Sequence, residues 1–374
     1  MARNNRIFYA TQAIALKPQS DTTTPPTYFT GATDGWYYPR GVQSAGITTN
    51  FALEQVFQLG QIELYENVED IPEVEVTINK VIDGTAPLYL MCMGGSTGIP
   101  GANGKELVNL ANNRVNFRLG IYPDTNSAAT GTVTTWVDCS GMYLSSVSFT
   151  IPVDGNATED VTLVGNNKYW NSTNVGAANA GFFSSGTNPG TMTAPAIGRR
   201  YKFNSNESVI PTGAGGGIPI PENRTKPYLQ SVTVSTDLGR EAINELGAMA
   251  PYYRYVTFPV EVTSEFEIVA SSGDFVEGKD FAGQVGCDVV YKNLQDKSVK
   301  IVMCGSGIND ALIIDIGNKN KLTSVNYTGG EAGGDNATVT YSYQTFNKFV
   351  VDASGSFKAA SWVDAVDDAN ILGD

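Results

Sequence analysis

Two stretches hold the residues best spaced for chemistry. Glu73, Glu75, Thr77 and Asn79 recur at every second position, as do Glu261, Thr263, Glu265 and Glu267. Val74, Val76 and Ile78 interleave the first row, and Val262, Phe266 and Ile268 the second. This alternation marks a strand with one face buried and one in water. Carboxylates so placed could be an acid and base for glycoside hydrolysis. That reaction needs two groups converging from opposite sides of a sugar, whereas these follow one another along a single strand. The other functional reading is a polar wall lining a water-filled passage. An ordinary solvated sheet face gives the same pattern and stays open beside it. Lys80, at the end of the first row, counts against a purely acidic surface.

Other chemistry finds little support. The chain has no histidine, which removes Ser-His-Asp and Cys-His catalysis, the usual zinc ligands and the commonest general base. Cys92, Cys139, Cys287 and Cys304 lie far apart with no C-x-x-C, against a zinc site or a dense disulfide framework. Cys139 in VDCSG and Cys304 in VMCGSG take similar places in the two halves and read as small buried strand residues. The loops YPDTNS at Tyr122 and VDGNATED at Val153 lack the spacing of a calcium loop. GAGGG has no following lysine and does not open a helix, so it is no phosphate cradle. No catalytic residue, cofactor or metal ligand is therefore expected, and the chain does not read as an enzyme.

The bulk composition narrows the partners. Net charge is −14 with a pI near 4.5, against nonspecific binding to nucleic acid, which needs Lys and Arg to neutralise phosphates. No run of about 18 apolar residues and no charged-then-apolar leader is present, so neither a membrane span nor a secretion signal is expected. The six N-x-S/T sequons carry little meaning in that setting. Forty glycines, eighteen tyrosines and many Thr and Val favour strands and turns over helices.

The elements that position the two rows are written twice. The stretch from Val42 to Pro72 aligns with that from Leu229 to Pro259; Gln43 and Gln230, Glu54 and Glu241, Gly60 and Gly247, Tyr65 and Tyr252 all stand 187 residues apart. LSSVSFT at Leu144 returns as LTSVNYT at Leu322, and Asn167-Lys168-Tyr169 as Asn347-Lys348-Phe349. The offset falls to 178 and then 180, as it does when only loops change length. This is a tandem duplication of one domain.

The expected organisation follows. Residues 1–41 form an extended, aromatic arm suited to lying on a neighbour; 42–170 are unit one; 171–227 are a Gly/Asn/Pro-rich linker or surface loop; 228–351 are unit two; 352–374 are an acidic tail. Each unit is expected to be a β-sandwich or half-barrel with a short helix. Those helices are placed near Leu53–Leu59, ended by Gly60, and after an N-cap at Asp237, ended by Gly247. PLYLMCM at Pro87 reads as a strand.

With these motifs on the page, the chain resembles phage tail-tube proteins. The resemblance rests on FQLGQIELYENVEDIPEVEVTINKVIDG, its counterpart LGREAINELGAMAPYYRYVTFPVEV, and the paired ends GNATEDVTLVGNNKYW and GDNATVTYSYQTFNKFVV. It implies a structural virion protein of the tail, assembled in the host cytoplasm, whose domains form stacked six-unit rings around a channel that passes DNA without binding it specifically. Two domains per chain imply a homotrimer per ring. Sheath, baseplate and tail-terminator proteins are the implied partners. The resemblance also admits a specialised distal-tail, baseplate or neck ring. A carbohydrate-binding β-sandwich adhesin with tyrosine-lined sites is the reading from another class.

Overall fold

The computed structural model of the chain describes residues 6–19, 39–83, 86–93, 106–122, 135–171, 228–248, 251–270, 273, 276, 296–304, 311–330 and 336–354. The fold is mainly β. The first half holds β1 (Gln12–Gln19), β2 (Val42–Asn50), β3 (Leu53–Phe57), β4 (Leu64–Glu69), β5 (Glu73–Val81), β6 (Arg114–Ile121), β7 (Thr135–Pro152), β8 (Thr158–Gly165) and β9 (Asn167–Asn171), with helices α1 (Leu88–Met93) and α2 (Leu107–Leu110). The second half holds β10 (Leu229–Asp237), β11 (Arg240–Ile243), β12 (Tyr253–Val256), β13 (Glu261–Val269), β14 (Lys300–Cys304), β15 (Ala311–Asp315), β16 (Lys321–Thr328), β17 (Thr338–Phe346) and β18 (Val350–Ser354).

Eight strands form one antiparallel path in the order β16–β17–β13–β10–β7–β8–β5–β2. Its two ends are built alike: β2–β5–β8–β7 repeats as β10–β13–β17–β16, neighbour for neighbour. Irregularities repeat too. Register shifts at Val42/Ser44 and Leu229/Ser231 are 187 residues apart, and those at Leu144/Ser146 and Leu322/Ser324 are 178 apart. A bulge bends its strand and increases the local twist, so the halves curve at matching places.

One face of this sheet is covered. β7 runs for 18 residues through Gly141, whose φ of +66° suits glycine. Its first part leaves the long path to pair with β6 and β9, and β6 pairs with β1. In the second half β14–β15–β18 forms the corresponding layer. A single apolar core runs between the layers and through both halves, with Phe117, Phe149, Phe266, Phe349 and the whole of α1 buried in it. Each such side chain contributes about 1.5–3 kcal/mol on burial.

Several expectations are corrected. The helical turns at Leu53–Leu59 and after Asp237 are hairpins, β3–β4 and β11–β12. Leu53, Val56 and Phe57 have helical spacing, but all are exposed, so no packing holds a short helix there. Gly60 and Gly247, at φ +89° and +88°, lie in the two hairpin turns, and Asp237 caps a turn by accepting from the Gly239 N–H at 2.9 Å. PLYLMCM holds helix α1 rather than a strand. A run buried on every side has no period to read. The Glu159 carboxylate, 71 positions on, fixes its start by accepting from the N–H groups of Leu88 and Tyr89, both at 2.7 Å. The second half has no α-helix among the described residues.

Gln12–Gln19 of the expected arm is an integral strand, with Ala15 and Leu16 fully buried. Cys139 and Cys304 are not equivalent: the first lies on β7 and the second on β14, which corresponds to β6. The expected linker over 172–227 and the acidic tail beyond Ser354 lie outside the described residues.

Candidate assembly edges and acidic face

The uncovered face of the eight-stranded path carries both predicted rows. Glu73, Glu75, Thr77 and Asn79 point outward from β5, and Glu261, Thr263, Glu265 and Glu267 from β13, while the residues between them are buried. The two strands share the exposure pattern over eight positions. Lys80 falls in the opposite alternation. It is fully buried and pairs with Asp83 at 3.0 Å, so it does not interrupt the acidic face.

Between the rows lie hydroxyls and further acids. Ser148 and Asp160 stand opposite one another on β7 and β8, and Ser235 and Thr263 on β10 and β13. Asn79 donates to Asp160 at 2.6 Å, Ser231 to Glu267 at 3.0 Å and Ser342 to Glu265 at 3.4 Å. Where the halves meet, Ser146, Asp160, Asp237 and Glu261 line an open groove of about 380 Å³. No cluster suited to holding a metal ion occurs among the described residues. The face is an acidic surface whose carboxylates are interleaved with hydroxyls that donate to them.

The halves meet through β7 and β10, with Val147 opposite Thr236, Phe149 opposite Val234 and Ile151 opposite Val232. All six side chains are buried, between 0% and 5% exposed. Phe349 adds to this joint from the covered side, its ring 6.4 Å from that of Phe149 and 5.3 Å from that of Tyr89. Hairpin β11–β12 then folds over the first half. Arg240 donates to the Leu144 carbonyl at 2.7 Å and lies 5.1 Å over the Tyr143 ring, and burial lowers its pKa to about 10. Tyr253 stacks edge-on against Tyr143 at 5.5 Å, and Arg254 reaches Glu73 and Asn166. Apart from Glu73, none of these joint residues stood out in the sequence. Comparing each with its counterpart in the other half is the signal that finds them.

Among the described residues, the same parts recur without a strand partner at the two ends of the path. β2, the counterpart of β10, is one edge; β16, the counterpart of β7, is the other. Tyr327 occupies the place of Phe149 but is 50% exposed, and Tyr169 occupies that of Phe349 but is 63% exposed. Ile47, the counterpart of Val234, is half-buried. Hairpin β3–β4 matches β11–β12 and is exposed along both strands.

Neither a protein-family model nor a curated protein matches the chain. Among solved structures, the chain is similar to the baseplate of the anti-feeding prophage, at 7% identity over 46% of this chain and 99% of that one, with a TM-score of 0.32. It is similar to the tube-terminating cap of the same particle at 13% identity over 46% and 95%, TM-score 0.30. The sheath-tube complex of an extracellular contractile injection system gives 12% identity over 46% and 95%, TM-score 0.27. At these values the likenesses do not establish a family for the chain.

Proposed function

We propose that this chain is a structural subunit that closes with copies of itself into a hollow ring, with the acidic face lining the bore. The observation that carries this reading is the pair of unmatched edges. The β7–β10 joint within the chain is a finished example of the contact that β16 of one copy and β2 of the next are shaped to make. Transferring its register opposes Tyr327 to Ile47, Val325 to Thr49 and Ser324 to Asn50 of the next copy. Closure satisfies two exposed edges that an isolated sheet leaves open to misassociation. The contact is head-to-tail, which makes a ring when its rotation closes.

The number of copies and the biological setting come from the sequence resemblance. Six units per ring means three chains, each giving eight strands to one barrel. The layer with α1 is then outside and the acidic face inside, where it repels phosphate and lets DNA slide. In that setting the protein belongs to a virion tail, and its outer and terminal surfaces meet sheath, baseplate and terminator proteins. Leu59, Ile62 and Leu246 stand fully exposed in the two hairpin turns, which suits contacts between stacked rings and favours a tube over a solitary terminal ring.

Negative-stain microscopy with sedimentation velocity on the full chain tests this. Threefold rings or hollow rods are expected. Single rings that never stack would point to a terminal ring instead. A monomer at every concentration and salt overturns the reading, and glycan binding by that monomer would favour the adhesin.

A further inference from the structure

Resting on the ring reading, we propose that the joint between copies carries an ion pair at the place where the joint within the chain stacks two tyrosine rings. Glu66 of one copy is assigned to Lys321 of the next.

Tyr253 and its partner Tyr143 have counterparts at Glu66 and Lys321 by the offsets of 187 and 178 that relate the halves. The pairings agree: Tyr143 stands opposite Val164 on β8, and Lys321 opposite Gln344 on β17, 180 residues later. A contact that stacks two tyrosines at 5.5 Å within the chain thus sets a carboxylate against an ammonium between copies. Glu66 is exposed, and the Lys321 side chain is 55% exposed.

The surroundings carry the same sign on each side. Hairpin β3–β4 with its flank, residues 53–70, has Glu54, Glu63, Glu66, Glu69 and Asp70 and no base. The matching stretch 240–257 has Arg240 and Arg254 against Glu241 and Glu245, and is neutral. The surface expected to receive the acidic hairpin has Lys319 where its counterpart has Gly141, and Lys321 where it has Tyr143. Both lysines also reach Asp296, at 2.9 and 2.8 Å, which leaves that cluster net positive by one charge. An anionic hairpin facing a cationic patch steers copies together and fixes which edge meets which. A stack of two uncharged tyrosine rings is insensitive to salt, whereas an exposed ion pair at the same place is screened by it.

The test uses the full chain and sedimentation velocity in about 50 mM and about 500 mM NaCl, which span a wide range of screening. Wild type is expected to need about tenfold more protein for half-assembly at the higher salt. Lys321→Glu and Glu66→Lys should each raise the low-salt midpoint by about tenfold or more, and the double exchange should restore it. Circular dichroism of each monomer separates lost assembly from lost folding, since both residues are exposed. If wild type forms no ring at any salt, the ring reading itself is lost. If rings form but ignore salt and both single exchanges, or if the double exchange rescues nothing, the ion pair is wrong while the ring stands.

Discussion

The guanidinium of Arg254 meets the carboxylate of Glu73 at 2.9 Å, joining two residues 181 positions apart. The arginine is 7% exposed and the glutamate 50%, so the pair is unequal: one charge is buried and the other largely in water. Among the described residues, Asn166 supplies the only other acceptor for the Arg254 guanidinium, at 3.1–3.2 Å.

Glu73→Gln therefore strands a buried cation, and a loss of about 1–3 kcal/mol is expected. Arg254→Met keeps the packing and leaves a solvated carboxylate, for a loss of about 1 kcal/mol or less. Denaturant titration of both variants checks the order. Equal losses would mean that packing alone docks the hairpin.

Glu159 sits fully buried beside Lys80 and α1, and burial raises its pKa from 4.5 to about 7 against the opposing pull of Lys80 and two backbone N–H groups. Its protonated form is favoured by folding. Its contribution to stability is thus complete below pH 4.5 and lost as pH rises through about 7. Unfolding midpoints from pH 5 to 8 should fall for wild type and stay flatter for Glu159→Gln. Glu159→Val mimics Val339 at the matching place, and should cost about 3 kcal/mol or more by orphaning the Leu88 and Tyr89 donors. A pH-independent wild type would contradict the titration.

Tyr327→Asp should leave the monomer folded, since half of the ring is already in water. Placed at the β16–β2 contact, the new charge should raise the concentration for half-assembly at least about tenfold. Unchanged assembly by light scattering would remove Tyr327 from that contact.

Glu75→Lys with Glu265→Lys alters the middle of both acidic rows and spares the strand ends where the halves join. Rings should still form, while transit of DNA through the assembled particle slows as cations line the bore. Unaltered DNA release from particles built with this variant would count against the acidic face lining the channel.

The recurring motifs and the alternation of the two acidic rows were legible in the sequence because both are matters of spacing. The constant offset at Gly60 and Gly247 and the alternation through Val74–Ile78 survive without knowledge of any contact. The hairpins were not legible. Leu53, Val56 and Phe57 carry an apolar stripe that matches a helix, yet the stripe stays in solvent within one chain. Helix α1 was hidden because its start is fixed by a carboxylate from β8, a long-range contact that local pattern cannot report. Lys80 looked like an intruder on the polar face, because a buried lysine balanced by Asp83 breaks the rule that inward positions are apolar.

The β7–β10 joint is made once the polypeptide is synthesised, and dilution does not undo it. In the proposed ring, six separate parts would need five bimolecular associations before the last seam closes, and three fused pairs need two. Fusion raises the local concentration at every second seam far above that of free protein. It also frees neighbouring units to diverge: among the described residues α1 occurs in the first half alone, and its buried Glu159 is matched by Val339. The proposed ring would have alternating rather than uniform surfaces around its circumference, and anything docking there would meet two kinds of site.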